Sequence, residues 1–235
     1  MKRALPLLFA FAALAACSSG APSETSGPSL TETPEMPSPP VDHPPIDPAK
    51  KPVTSAVARR ISVAQLRGAF PVILGKDVNG KDITWMSGAT PALDKMADVL
   101  GEADYAFVTQ DNRDPSALYL KFMDDAARDV CGRALTADAA RPKAADRVLL
   151  RYVGPTDTAA TNAAGVDQNL GYLALRFHGI KVKEGDSART TPLLKLFTDS
   201  VTAAAAGKPV TAADVTEGWR AVCVALITAP EFHLY

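Results

Sequence analysis

Three cysteines and three histidines are the residues in this 235-residue chain best suited to covalent or metal chemistry. Their spacing decides most cases. A covalently held haem needs Cys-x-x-Cys-His, and the chain has no such run. A zinc site needs three or four ligands brought together, whereas His43, His178 and His233 are isolated in sequence. His43 falls in a Pro-rich stretch. His178 is predicted in the last turn of a helix, where an imidazole favours the negative end of the dipole, so capping is its expected role. His233 is read as a surface residue or as part of a terminal plug.

Nucleophile and phosphate motifs are missing: the chain has no Gly-x-Ser-x-Gly elbow, no Ser-x-x-Lys set and no phosphate loop. Oxygen ligands alternate along Asp77-Val78-Asn79-Gly80-Lys81-Asp82, but the run lacks the full calcium-loop order and its twelfth-position Glu, which favours a turn. In Asp111-Asn112-Arg113-Asp114, Asp114 reads as a helix cap and Arg113 as the partner of Asp111. Asp124 and Asp125 diverge by about 100° on a helix and form no carboxylate pair by themselves. Residues that meet only in three dimensions are the remaining possibility, and His178, Tyr152, Asp111 and Arg113 are the candidates for one pocket. No catalytic residue, metal ligand or cofactor is assigned.

Cys17 has a separate setting. Lys2 and Arg3 precede an apolar run from Leu5 to Leu14, and small residues Ala15 and Ala16 lead to the cysteine. These are the three regions of a secretory signal, and the apolar run is too short for a bilayer span. Leu14-Ala15-Ala16-Cys17 resembles the lipobox of bacterial lipoproteins, which implies cleavage before Cys17 and acylation of its thiol. Acyl chains contribute about 0.8 kcal/mol per buried methylene, so two or more hold a protein stably on a membrane. The alternative is an ordinary secretory signal with an incidental cysteine.

The elements behind these residues divide into tether and domain. From Ser18 to Thr54 the chain carries ten of its nineteen prolines among Ser, Thr, Gly and acids. Too little apolar surface is present to offset the entropy of ordering, so residues 17–54 are expected to form a disordered tether. Such a segment spans about 30 to 35 Å as a coil and about 110 Å as polyproline helix. Residues 55–235 are long enough for one sizeable core. Removal of the signal leaves 23 basic and 26 acidic residues, a formal charge of −3, which argues against nucleic acid as a partner.

Helical signals dominate the domain. Val57 to Ile73 has a near-3.6 apolar period, with Pro71 expected to end or kink it. Thr90-Pro91, Asp114-Pro115 and Thr191-Pro192 each read as a cap followed by a first-turn proline, with Gly101 and Gly207 as stops for the first and third helices. Asn169 to His178 reads as a helix stopped by Gly179. Thr211 and Asp214 form a capping-box-like start to a last helix, which Pro230 ends. Asp146 to Val153 fits either a helix end or a short strand. Asn79-Gly80 signals a hairpin turn, and Asp82 to Trp85 alternates like one short strand. The expected class is mainly α, an irregular bundle of about five to seven helices with at most one short β-hairpin. With Cys17 spent on lipid, Cys131 and Cys223 are the only possible disulfide pair, and an oxidising compartment favours it; the alternative is two buried thiols.

The terminal run Trp219 to Phe232 resembles the last segment of large exported, cytochrome-associated proteins of planctomycetes and myxobacteria, and Arg59-Arg60-Ile61-Ser62 resembles their entry segment. Leu100 to Tyr105 and Lys121 to Ala127 are similar to uncharacterised myxobacterial exported lipoproteins. These resemblances imply a helical envelope protein of unassigned activity, working beside other exported components. The location expected of the anchored chain is the outer membrane rather than the inner, with its domain in the periplasm or at the cell surface. Its expected partners are the membrane, through Cys17, and other envelope proteins. The expected work is binding or assembly without catalysis; the alternatives are an accessory subunit of an exported enzyme or electron-transfer system, or an enzyme with an unrecognised site.

Overall fold

The structure, a computed structural model, describes residues 58–183 and 187–235. The readings for Cys17, His43, the signal and the tether lie outside the described residues. Among the described residues the fold is mainly helical, with seven α-helices and one two-stranded antiparallel ladder.

Helix α1 (Val63–Leu74) starts later than the apolar period suggests, because Ser62 and Gln65 close a capping box there. Pro71 does not end it; the helix continues to Leu74. Arg176 explains how those last residues are held, since its guanidinium donates to the carbonyls of Ile73 at 2.6 Å and Val72 at 3.1 Å. Strands β1 (Met86–Ser87) and β2 (Thr90–Pro91) form the short ladder. Thr90-Pro91 is thus strand, and helix α2 (Ala92–Lys95) is only four residues long. The fixed φ of proline suits an extended chain as well as a first helical turn. Asp82 makes one isolated bridge to Lys76 across the Asn79-Gly80 turn, so the expected strand at Asp82 to Trp85 is reduced to that contact.

Helix α3 (Ala117–Ala139) begins two residues beyond the Asp114-Pro115 signal, with the Ser116 hydroxyl accepting from the Tyr119 N–H at 3.1 Å. Proline disfavours helical backbone in the residue before it, and Asp114 instead joins the preceding loop. A 3-10 turn (Ala144–Asp146) follows, and the segment to Val153 is neither helix nor strand. Helix α4 (Ala163–His178) starts at an Asn162 cap and ends at left-handed Gly179. Helix α5 (Thr190–Ala205) ends on left-handed Ala206, one residue before the expected glycine stop. Helix α6 (Ala212–Thr228) carries the Thr211–Asp214 capping box, and Pro230 opens a final short helix, α7 (Pro230–His233).

Helix α6 is the central element, packed against α3 and α5. Val215, Trp219, Val222, Leu226 and Ile227 are buried along it at helical spacing. Gly218 permits the close approach of α5, because a Cβ there would lie 2.5 Å from Val201 Cγ2. Trp219 accordingly packs on Phe197 with ring centroids 4.4 Å apart. Cys131 of α3 and Cys223 of α6 are joined by a disulfide, with Cα atoms 5.9 Å apart.

Candidate functional site

The richest polar arrangement gathers around Arg60, which is 4% exposed although its neighbour Arg59 faces solvent. Residues 59–61 run extended beside the carboxyl-terminal segment. Arg59 exchanges backbone hydrogen bonds with Tyr235 at 3.0 and 2.9 Å, and the Ile61 N–H donates to the His233 carbonyl at 2.9 Å. Alternation along this segment turns Arg60 inward. Its guanidinium donates to the carbonyls of Leu100, Asn112 and Asp114, while its face lies over the Tyr119 ring. Burial lowers the pKa of Arg60 from its ordinary value, and the same burial pushes the Tyr119 phenol up to about 12.

Arg60 thereby gathers both ends of the loop between Leu100 and Asp114. Gly101 completes the junction: its φ is +75°, and a Cβ there would meet Asn112 Cβ at 2.9 Å. The Asn112 N–H donates to the Gly101 carbonyl at 2.8 Å, closing the base of the loop. Asp111 receives the Ala103 N–H and pairs with Arg113 at 3.4 Å, and Arg113 donates to the Tyr235 hydroxyl at 2.8 Å. At the tip, one Asp104 oxygen accepts the N–H groups of Ala106, Phe107 and Val108 at 2.9 to 3.0 Å. Those bonds hold the Asp104 carboxyl below its usual range. The tip carries Tyr105, in a left-handed conformation with φ +58, and Phe107, both turned to solvent.

The four residues proposed for one pocket line three separate clefts. Asp111 and Arg113 share a cleft of about 610 Å³ with Arg59 and Tyr105. Tyr152 lies in a second, of about 700 Å³, beside Tyr172 and Lys183. His178 lines a third, of about 190 Å³, with Arg189 and Glu231. His178 does not cap its own helix: its Nε2–H donates to the Leu226 carbonyl at 2.8 Å, tying α4 to α6. His233 is a plug residue, 1% exposed, with Nε2–H donating to the Thr228 carbonyl at 3.2 Å and its ring edge-on to Tyr119. Desolvation lowers its pKa.

Asp114 accepts nothing as a helix cap; its N–H donates to Asn112 Oδ1 and its carbonyl accepts from Arg60. Asp77 serves its own turn, accepting from the N–H groups of Asn79 and Lys81. Asp124 pairs with Arg128 and Asp125 with Lys121, each one turn along α3. Among the described residues no group of three or more His, Cys, Asp or Glu side chains is placed to hold a metal ion, and no helix is long and apolar enough to cross a membrane.

The sequence did not single out Asp138, the most completely buried acid among the described residues. Its carboxylate accepts the consecutive N–H groups of Val148, Leu149 and Leu150 at 2.6 to 2.9 Å and pairs with Arg141. Asn169, equally buried, extends the same device by accepting from the Tyr152 N–H and donating to the Leu149 carbonyl. These two side chains replace secondary structure for residues 148–152. A usable signal was present: Val130, Ala134 and Asp138 fall at four-residue spacing, which places a carboxylate on an apolar stripe. Comparison with family models, curated proteins and solved structures returns no match to this chain.

Proposed function

We propose that the chain is an exported, lipid-anchored envelope protein whose helical domain is a non-catalytic binding or assembly module held at a membrane surface by a Pro-rich tether. The observation that carries this reading is the order of the amino-terminal residues: a basic pair, a short apolar run, Leu14-Ala15-Ala16-Cys17, then a proline-dense stretch. Outer-membrane anchoring, with the domain in the periplasm or at the cell surface, is the favoured placement. The separation of His178, Tyr152 and the Asp111–Arg113 pair into three clefts supports a binding role over a catalytic one.

The test is metabolic labelling with a palmitate analogue, with and without globomycin, in cells making the parent chain or Cys17→Ala. Label on the parent, its loss in the variant and accumulation of precursor under globomycin are expected. Label that persists on Cys17→Ala refutes acylation at that position. For the module, crosslinking in intact envelopes followed by affinity capture should recover a defined partner; turnover of a small molecule by the purified chain would overturn the non-catalytic reading.

A further inference from the structure

Phe107 is 93% exposed, Tyr105 75% and Val108 53%, all within four consecutive residues. Scattered apolar residues on a surface need no explanation, but two aromatics and a valine at one projecting tip leave a concentrated apolar surface in water. The tip is also held in place. Asp104 fixes three successive N–H groups, the Tyr105 N–H donates to the Val108 carbonyl at 2.9 Å, and Arg60 grips the loop base. Inserting such a tip therefore loses little backbone entropy.

The place where the remaining chain attaches selects the occupant. Residues 1–57 join the described domain at Ala58, and Arg59 lines the same cleft as Tyr105. The first described residues of the chain thus lie beside the exposed tip. Charge narrows the chemistry further: Arg59 and Arg113 are offset in this cleft by Asp111 and Asp114, with Asp104 next to it. A balanced, slightly acidic surround does not attract anionic headgroups, whereas Tyr and Phe favour the boundary between headgroups and acyl chains whatever the lipid charge.

We propose that residues 104–108 form a membrane-insertion wedge, with Tyr105, Phe107 and Val108 entering the interfacial layer of the bilayer that carries the lipid anchor. The proposal rests on the anchor reading for its strength. A tether of this length keeps the tip near the surface at an effective concentration on the order of millimolar, so a weak intrinsic affinity suffices. The wedge sets the orientation of the domain, which the acyl chains alone leave free.

Two arms keep the wedge and the anchor distinguishable. In the first, the lipidated chain carrying Phe107→Trp is reconstituted into phosphatidylcholine vesicles, with Trp85 and Trp219 buried as a constant background. The added emission should shift to the blue and be quenched by brominated acyl chains. Val210→Trp is the water-exposed control, since Val210 is 48% exposed and precedes α6, at the end of that helix opposite to α7. Added emission at position 107 that is quenched by aqueous iodide as readily as at position 210 overturns the wedge, and is the outcome if the tip binds a protein instead.

In the second arm, the signal-less Cys17→Ala chain is sedimented with the same vesicles. Partitioning should fall about tenfold in Tyr105→Ser/Phe107→Ser, as expected for loss of two partly buried aromatics, and should not depend on added salt or anionic lipid. Equal partitioning of the two chains overturns the wedge. Because this arm needs no acylation, failure of labelling at Cys17 would remove the anchor and leave insertion independently measured.

Discussion

The guanidinium of Arg60 lies 4.6 Å from the centroid of the Tyr119 ring, so the first turn of α3 supplies an aromatic floor for a cation that donates to the loop carbonyls of Leu100, Asn112 and Asp114 and to that of its neighbour Ile61. Among the described residues no carboxylate pairs with this cation directly. Its charge is met by backbone dipoles and a π face, which is effective only while the loop stays folded around it.

Arg60→Ala should therefore lower unfolding free energy by about 3 kcal/mol or more, because carbonyls of Leu100, Asn112 and Asp114 lose their donor together. Arg60→Lys should recover only part of that loss, since an ammonium cannot span the planar fork. Urea titration reads the stability, and hydrogen exchange should show residues 101–113 opening before the α3–α6 core. A loop as protected in Arg60→Ala as in the parent would contradict this assignment.

Asp138→Asn should cost about 2 to 4 kcal/mol, because one of its two oxygens becomes an NH₂ group facing backbone donors. Asp138→Leu should be at least as damaging, as it leaves three N–H groups of a buried segment unsatisfied. Amide exchange at Val148, Leu149 and Leu150 should accelerate in both variants more than at α6.

Opening the Cys131–Cys223 bond should destabilise the domain by about 4 to 5 kcal/mol in the chain-entropy model for a loop of this length. In an unfolded Cys17→Ala chain, thiol titration should find none before reduction and two after. Two free thiols before reduction would show that the bond is not formed in the purified protein.

Stability should fall on acidification through the range set by His233. Its folded pKa is depressed below the ordinary 6.5, so the unfolded chain takes up the proton first as pH drops. The contribution is complete above about pH 6.5 and is lost at up to about 1.4 kcal/mol per pH unit until the folded-state pKa is passed. Comparison of urea midpoints for the parent and His233→Phe isolates this slope; identical pH profiles would remove His233 as its source.

Ala206→Gly should raise stability by about 0.5 to 1 kcal/mol, since Ala206 adopts φ +48 at the end of α5 and glycine takes that conformation without a Cβ clash. A thermal-melt increase of a few degrees is expected.

The helical class and the α6 boundary were readable because their signals are local: Thr211 and Asp214 are three residues apart, and the apolar stripe from Val215 to Ile227 repeats every turn. The disulfide was readable by elimination. Proline-based starts were less secure, because proline fixes one dihedral angle and leaves strand or helix to be chosen by distant partners. At Pro91 the choice is made by the ladder with β1 and by the Ala92 N–H donating to the Trp85 carbonyl. Arg60 and Asp138 were harder still, as both bind main-chain groups that carry no side-chain identity in the sequence. Asp111 and Arg113 did meet in one cleft, being near neighbours on a loop, whereas Tyr152 and His178 were separated by the packing of α4 against the rest.

The antiparallel contact of Arg59–Ile61 with His233–Tyr235 also defines a route for mechanical force. Any pull on the chain ahead of Ala58 reaches the domain at Arg59 and opens its pair with Tyr235 first. It then meets Arg60, whose side chain is fastened to the loop carbonyls of Leu100, Asn112 and Asp114, and through His233 passes into α7 and α6. From α6 the strain crosses covalently to α3 at Cys131. A domain strung this way yields its edge contact under tension while the two longest core helices remain stapled together.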